Sequence, residues 1–187
     1  MKIILLRHGK PDIDVPEKIR SNEIVEFITR YDAAGIAADS MPPESSMIAA
    51  NSIKAVVCSH LPRSLDSAKK LTQQSVLLSD EIFREAELPS SNWAYPRLNT
   101  MTWFLICRTL WLFGYSQNGE SIAKTRKRAK LAADKLEEIA QQHESLLFVG
   151  HGFINHFIAK ELKRRGWKGA KKSPREHWEY STYEHYL

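Results

Sequence analysis

Arg7, His8 and Gly9 close the apolar run Ile3-Ile4-Leu5-Leu6, and His151 and Gly152 close another, Leu146-Leu147-Phe148-Val149-Gly150. Short aliphatic runs of this kind read as buried strands. Ligands collect at the C-terminal ends of the strands of an open α/β sheet. An arginine and a histidine delivered there together make an oxyanion site with a nucleophile in it. A third run, Ala55-Val56-Val57-Cys58, leads into Ser59-His60-Leu61-Pro62-Arg63-Ser64, so a second arginine follows another strand. Gly9 and Gly152 leave room for close backbone approach beside each histidine.

The order of these pieces resembles the histidine phosphatase superfamily, the phosphoglycerate-mutase-like fold. Its marks are Arg-His-Gly after the first strand, Ser-x-x-x-Arg after the second, an acid after the third and Gly-His at a late strand. Phe83-Arg84-Glu85 resembles the acid segment, and Asn118-Gly119-Glu120-Ser121 resembles the Gly-Glu-Ser that opens the penultimate helix. The resemblance runs from residue 2 to about residue 160. It implies a three-layer α/β sandwich: a mostly parallel sheet with an antiparallel edge strand, helices on both faces and a small cap.

The implied chemistry is phosphoryl transfer, which requires charge neutralisation on the equatorial oxygens, an in-line nucleophile and protonation of the leaving oxygen. Arg7 and Arg63 suit the first task, because a guanidinium binds two phosphate oxygens at once. His8 resembles the nucleophile; a neutral imidazole attacks with one nitrogen while the other holds a proton. His151 is the second histidine, donating to a phosphoryl oxygen in the transition state. Glu85 stands at the acid position, with Glu87 two residues on as the competing carboxylate and a candidate substrate contact. The chain also departs from the pattern. Lys10-Pro11 follow Arg-His-Gly where many members have Glu-Thr, and Asp14 replaces an asparagine, adding repulsion instead of a phosphate donor. That argues against a glycolytic mutase.

The expected activity is metal-independent hydrolysis of a phosphomonoester through a phosphohistidine at His8, without a cofactor. The alternatives are a phosphoryl-transfer mutase and a phosphate-binding or protein-interaction module with little turnover. Cys58 and Arg63 do not form a cysteine-phosphatase loop, which needs five intervening residues instead of four. Pro62 would also remove a backbone donor from it. His151 and His156 are five apart, off the i, i+4 spacing of a helical zinc pair.

Bulk properties allow this reading. The chain has 187 residues, expected to form a single domain 1–187, and 26% of them are charged. No run approaches the ~20 apolar residues of a membrane helix. Arg7 and His8 interrupt the N-terminal run before it reaches the length of a signal-peptide core, so no leader is expected. Two cysteines, Cys58 and Cys107, fit a reducing cytoplasm. The net charge of +5 and the basic stretches Lys124–Lys130 and Lys163–Lys172 raise the question of nucleic acid. Ile122, Ala129, Ala132, Leu136 and Ile139 recur at helical spacing, however, so the lysines and arginines fall on a solvated face. A small phosphorylated substrate is the expected partner, a phosphoprotein is compatible, and oligomeric state is left open.

Strands are expected near 2–7, 54–58, 75–79 and 145–150, with helices near 21–30, 62–73, 119–142 and 152–164. Alternation from Glu179 to Tyr186 predicts the edge strand, and Met41–Ser46 reads as a loop. The segment 89–119 carries Trp93, Tyr95, Trp103, Phe104, Trp111, Phe113 and Tyr115. Trp103, Cys107 and Leu110-Trp111 at helical spacing read as a helical subdomain packing its own small core, and the segment also reads as a cap whose tryptophans and tyrosines stack on an apolar or ring-bearing leaving group. Arg97 and Arg108 are the cations within that segment.

Overall fold

The computed structural model describes residues 1–186. The strands are β1 (Lys2–Arg7), β2 (Lys18–Ile19), β3 (Ala55–Ser59), β4 (Val76–Asp80), β5 (Leu98–Asn99), β6 (Ser145–Gly150), β7 (Lys168–Gly169) and β8 (Tyr180–Glu184). The helices are α1 (Ile24–Ala33), α2 (Glu44–Asn51), α3 (Pro62–Leu71), α4 (Thr100–Leu112), α5 (Ile122–His143) and α6 (Gly152–Arg164). Six strands form one sheet in the order β4-β3-β6-β1-β8-β7, parallel from β4 to β1 and antiparallel at β8 and β7. The expected antiparallel C-terminal strand is therefore present. The sheet does not end there, because the two-residue β7 pairs outside it.

Burial explains the strand sequences. Ile3 to Leu6 and Val56 to Cys58 are at most 1% exposed, as continuous apolar runs must be when helices cover both faces of a parallel sheet. β4, the edge strand, alternates between half-buried and exposed positions instead. Helix α5 packs beside α6, and α2 beside α3. Pro62 occupies the first turn of α3, where its missing N–H removes no helical bond. The Ser121 side chain caps α5 by accepting from the Lys124 amide at 3.3 Å. α2 begins at Glu44, inside the stretch expected to be loop; Pro42-Pro43 mark its start.

The parallel register sets the position of the chemistry. Arg7 of β1 lies opposite Gly150 of β6, and Ser59 of β3 lies opposite Asp80 of β4. Four parallel strands thus end along one edge of the sheet, and the segments that follow them meet there. Outside the sheet, β2 pairs with β5 and ties the residues before α1 to the start of α4. A second small core, Ile19, Ile24, Trp103 and Cys107, joins α1 to α4.

The basic stretch of α5 is not uniformly solvated. Arg128 is 8% exposed and reaches three backbone carbonyls after β4: Ile82 at 2.9 Å, Arg84 at 2.7 Å and Glu85 at 3.3 Å. It also pairs with the Glu120 carboxylate at 2.6 Å. Burial works to raise the Glu120 pKa, but the Arg128 hydrogen bonds and charge overcome it and hold the carboxyl below its usual range. Arg128→Ala strands a buried carboxylate and frees the segment that carries Glu85. We expect a stability loss of about 3–5 kcal/mol, read from the urea unfolding midpoint at neutral pH.

Candidate active site

β1 and β6 are adjacent and in register, so His8 and His151 follow directly on paired residues, Arg7 and Gly150. Their rings meet edge to face with centroids 4.9 Å apart. The His8 amide donates to Gly150 O at 3.1 Å, closing the two loops on each other. Gly9 is required by close packing. A Cβ there would stand 2.2 Å from a Trp178 ring carbon.

The His8 tautomer follows from its partners. Nδ1 lies 2.7 Å from Gly9 O, and Nε2 lies 3.3 Å from Arg63 Nε. A carbonyl only accepts and a guanidinium only donates, so the proton sits on Nδ1 and the lone pair on Nε2. Arg63 is 1% exposed, donates to Tyr31 O and pairs with Asp32, both at 3.0 Å, and lies over the Tyr31 ring at 4.6 Å. Burial, then the positive charges of Arg63 and Arg7, hold the His8 pKa well below its usual value despite the Gly9 carbonyl. The His151 pKa is likewise well lowered, by burial first and then by the neighbouring His8, Arg63 and Arg7. His151 Nε2 faces Ser64 Oγ at 3.3 Å, while its Nδ1 is buried without a partner among the described residues. Arg7 Nε is unpartnered in the same way, whereas its Nη1 donates to Arg175 O.

A cavity of about 940 Å³ opens on this group, with Arg7, Arg63, Glu85 and Gly152 in its wall. His8 and His151 lie behind that wall, 2% and 1% exposed. The two competing carboxylates have different surroundings. Glu85 accepts from the amides of Phe153 (3.1 Å) and Ile154 (2.9 Å) at the start of α6, and its Oε2 and the Arg7 guanidinium both border Gly152. Glu87 also lines the cavity, but it lies 3.4 Å from Arg84, away from the histidines' partners. Asp14 is exposed and outside the cavity wall, so the repulsion expected from it does not reach the site.

The cap differs from expectation. Trp103 and Trp111 are buried, and their indole N–H groups donate to Ile19 O at 2.9 Å and Glu120 O at 2.7 Å. Neither they nor Trp93 and Tyr95 line the cavity. α4 contributes Phe104, Leu105, Arg108 and Leu112 instead, and Arg97 is exposed elsewhere. Further aromatic wall comes from outside the cap, from Phe27, Tyr31, Phe153 and Phe157. The tryptophans anchor the cap, because an indole needs a partner for its N–H and α4 must dock on something large.

Sequence reasoning missed Tyr31 and Asp32 at the end of α1, and His177. The His177 Nδ1 lies 3.0 Å from His8 O, and its ring centroid is 5.4 Å from that of His8. None of the three sits in a motif; only the fold brings them near His8. Cys58 is buried, with burial pushing its thiol up to about 11, which fits a core residue and not a nucleophile. No group of histidine, cysteine and carboxylate residues able to hold a metal ion occurs among the described residues. No helix among them is long and apolar enough to cross a membrane.

The family model for the histidine phosphatase superfamily (branch 1) matches residues 45–186, and the chain belongs to this superfamily. The match begins after Arg7-His8-Gly9; the sheet register joins that triplet to the matched part. No curated protein matches. Among solved structures, the chain is similar to an open reading frame product of Mycobacterium tuberculosis at 22% identity and TM-score 0.56, over 87% of this chain and 78% of that one. It is similar to a phosphoserine phosphatase mutant from Entamoeba histolytica in complex with phosphoserine, at 20% identity and TM-score 0.57, over 87% and 80%. It is also similar to a mycobacterial glucosyl-3-phosphoglycerate phosphatase, at 18% identity and TM-score 0.56, over 87% and 79%. At these identities the likeness establishes the fold. Family membership places the chain among proteins of phosphatase and mutase-type phosphoryl transfer.

Two buried imidazoles kept neutral give the fold a pH dependence. Below the ordinary histidine value of 6.5 the unfolded chain takes up protons that folded His8 and His151 refuse. Their contribution to stability is therefore complete above 6.5 and is lost as pH falls from there towards their lowered folded values. Urea midpoints between pH 7.5 and 5.5 should fall, and by less in His8→Gln, which has one such imidazole fewer.

Proposed function

We propose that the protein is a metal-independent phosphomonoester hydrolase that works through a phosphohistidine at His8. The observation that carries this reading is the state of His8: a buried, neutral imidazole that donates its Nδ1 proton to Gly9 O and directs its Nε2 lone pair at a guanidinium. That lone pair is the one a nucleophile needs, and the guanidinium beside it is the group that would hold phosphoryl oxygens. The fold's likeness to two phosphatases supports hydrolysis over transfer.

In this reading a phosphate dianion enters between His8 and Arg63, and Arg63 exchanges its bond to Nε2 for bonds to phosphoryl oxygens. Arg7 binds the same group through its unpartnered Nε. The Ser64 hydroxyl donates to His151 Nε2, so His151 carries its proton on Nδ1 and donates it to a third oxygen. The His8 lone pair forms an N–P bond as the bond from phosphorus to the leaving oxygen breaks. Glu85, acting as the general acid, gives its proton to that oxygen. Water then attacks the phosphohistidine, Glu85 takes a proton from it, the N–P bond breaks and inorganic phosphate leaves. Gly9 and Gly152 keep the floor of the site low. Glu87 lines the leaving-group side, paired with Arg84. The apolar wall suits a leaving group with apolar or aromatic surface.

Quenching a reaction with a phosphodonor in the presence of EDTA should trap an acid-labile, base-stable label that is absent from His8→Ala. A label that survives in His8→Ala overturns the reading. Arg63→Ala should lower kcat by ~10²-fold or more. Glu85→Gln should cost ~10²-fold or more with alkyl phosphates and far less with para-nitrophenyl phosphate, whose leaving oxygen needs no proton. The corresponding Glu87→Gln ratio should stay flat.

A further inference from the structure

Helix α6 divides the cavity into two unlike sides. Phe153 and Phe157, one turn apart, face the cap, with ring centroids 6.2 and 6.0 Å from that of Trp111. His156 and Lys160 form the adjacent stripe, also one turn apart, and both line the cavity. His156 Nδ1 lies 3.4 Å from Oγ of Ser173, a serine only 7% exposed that lies between β7 and β8. Two residues further on, Arg175 also lines the cavity, and its backbone oxygen accepts from Arg7. That bond sets the basic side directly against the phosphoryl site.

These cations have no carboxylate within ion-pair distance, although the charge of Arg175 is felt at Glu179. Neither Lys160 nor Arg175 forms an ion pair among the described residues. Glu161, next to Lys160, is held by Arg164 and Arg165. Glu179 accepts from the backbone amides of Arg175 and Glu176, at 2.5 and 2.9 Å, and not from the Arg175 guanidinium. Burial and then the charges of Lys160, Arg175 and Lys163 all push the His156 pKa down, and no carboxylate opposes them. Like charges converging on one polar side of a cavity, with a buried hydroxyl among them, are complementary to an anion.

We propose that His156, Lys160, Ser173 and Arg175 form a second anion subsite, and that the substrate is a phosphomonoester whose leaving group carries its own carboxylate or phosphate close to the ester oxygen. This rests on the hydrolase reading and narrows its substrate class. The leaving group is amphipathic: its apolar part lies against Phe153, Phe157 and Phe104, and its anion lies on the opposite flank of α6.

The test compares matched esters that differ in one group: propyl phosphate against its ω-carboxylate and ω-phosphate analogues, and phenyl phosphate against para-carboxyphenyl phosphate. The anionic member of at least one pair should have ~10-fold higher kcat/KM, the size of one charge-assisted contact. The two propyl analogues show which anion is preferred. Arg175→Ala removes the guanidinium and keeps the carbonyl that holds Arg7. Together with Lys160→Ala it should reduce the ratio to about one, and Lys160→Glu should invert it. Lys127→Ala, on α5 outside the cavity, should leave the ratio unchanged and so controls for net charge. Equal kcat/KM within every pair, or a ratio that survives both cavity variants, overturns the subsite. Calorimetric binding of the same pairs to His8→Ala protein reads the subsite without turnover. If no ester is hydrolysed, the hydrolase reading fails alone, and the binding ratio still decides the subsite.

Discussion

The parallel, in-register pairing of β1 with β6 is the constraint on which the rest of the site depends. Because Arg7 lies opposite Gly150, the residues that follow each strand, His8 and His151, emerge side by side with their rings in contact. A shift of one residue in either strand would turn its apolar side chains to the wrong face of the sheet and carry the histidine with them. Burial of the apolar stretches of both strands makes such a shift costly, so packing energy in the core enforces the geometry of the histidine pair at the edge. β3 and β4 extend the same logic: they end level with β6 and deliver Arg63 and Glu85 from their following segments.

Electrostatics is the second organising constraint. Arg63 is buried as a cation among Tyr31, Asp32 and His8, and neither nearby histidine adds charge, because burial and the arginines keep both neutral. An uncharged imidazole beside a guanidinium is also the arrangement the proposed nucleophile would require, so the condition that makes burial tolerable is the one the proposed chemistry calls for. Arg128 performs a related service at longer range, holding three carbonyls after β4 so that the Glu85 carboxylate meets the first turn of α6.

The cap shows how the same residue types serve different ends. Its tryptophans dock α4 on the body and donate their N–H groups to backbone carbonyls, while smaller residues of the same helix face the cavity. Besides Arg108 of the cap, cations reach the cavity from α6 and the segment before β8, which are remote in sequence from the cap. Residues 89–119 therefore carry few of the cavity's charges, and the complete cavity is far more basic than the cap alone.

By itself the sequence determined the strand runs, their order and the residues at their ends. Those signals are local: an apolar run of strand length, followed by His-Gly or by an arginine, is legible wherever it stands. It also contained α4, through Trp103, Cys107 and Trp111 at helical spacing. Tertiary structure alone decided that Glu85 and not Glu87 meets α6, that Arg128 is buried, that Tyr31 and Asp32 hold Arg63, and that β7 lies outside β8. It likewise decided that His177 stands beside His8 and that Arg175 and Lys160 share the cavity with Arg7. These placements depend on contacts between segments distant along the chain. Periodicity reports which face of an element is apolar, but not which other element that face will meet.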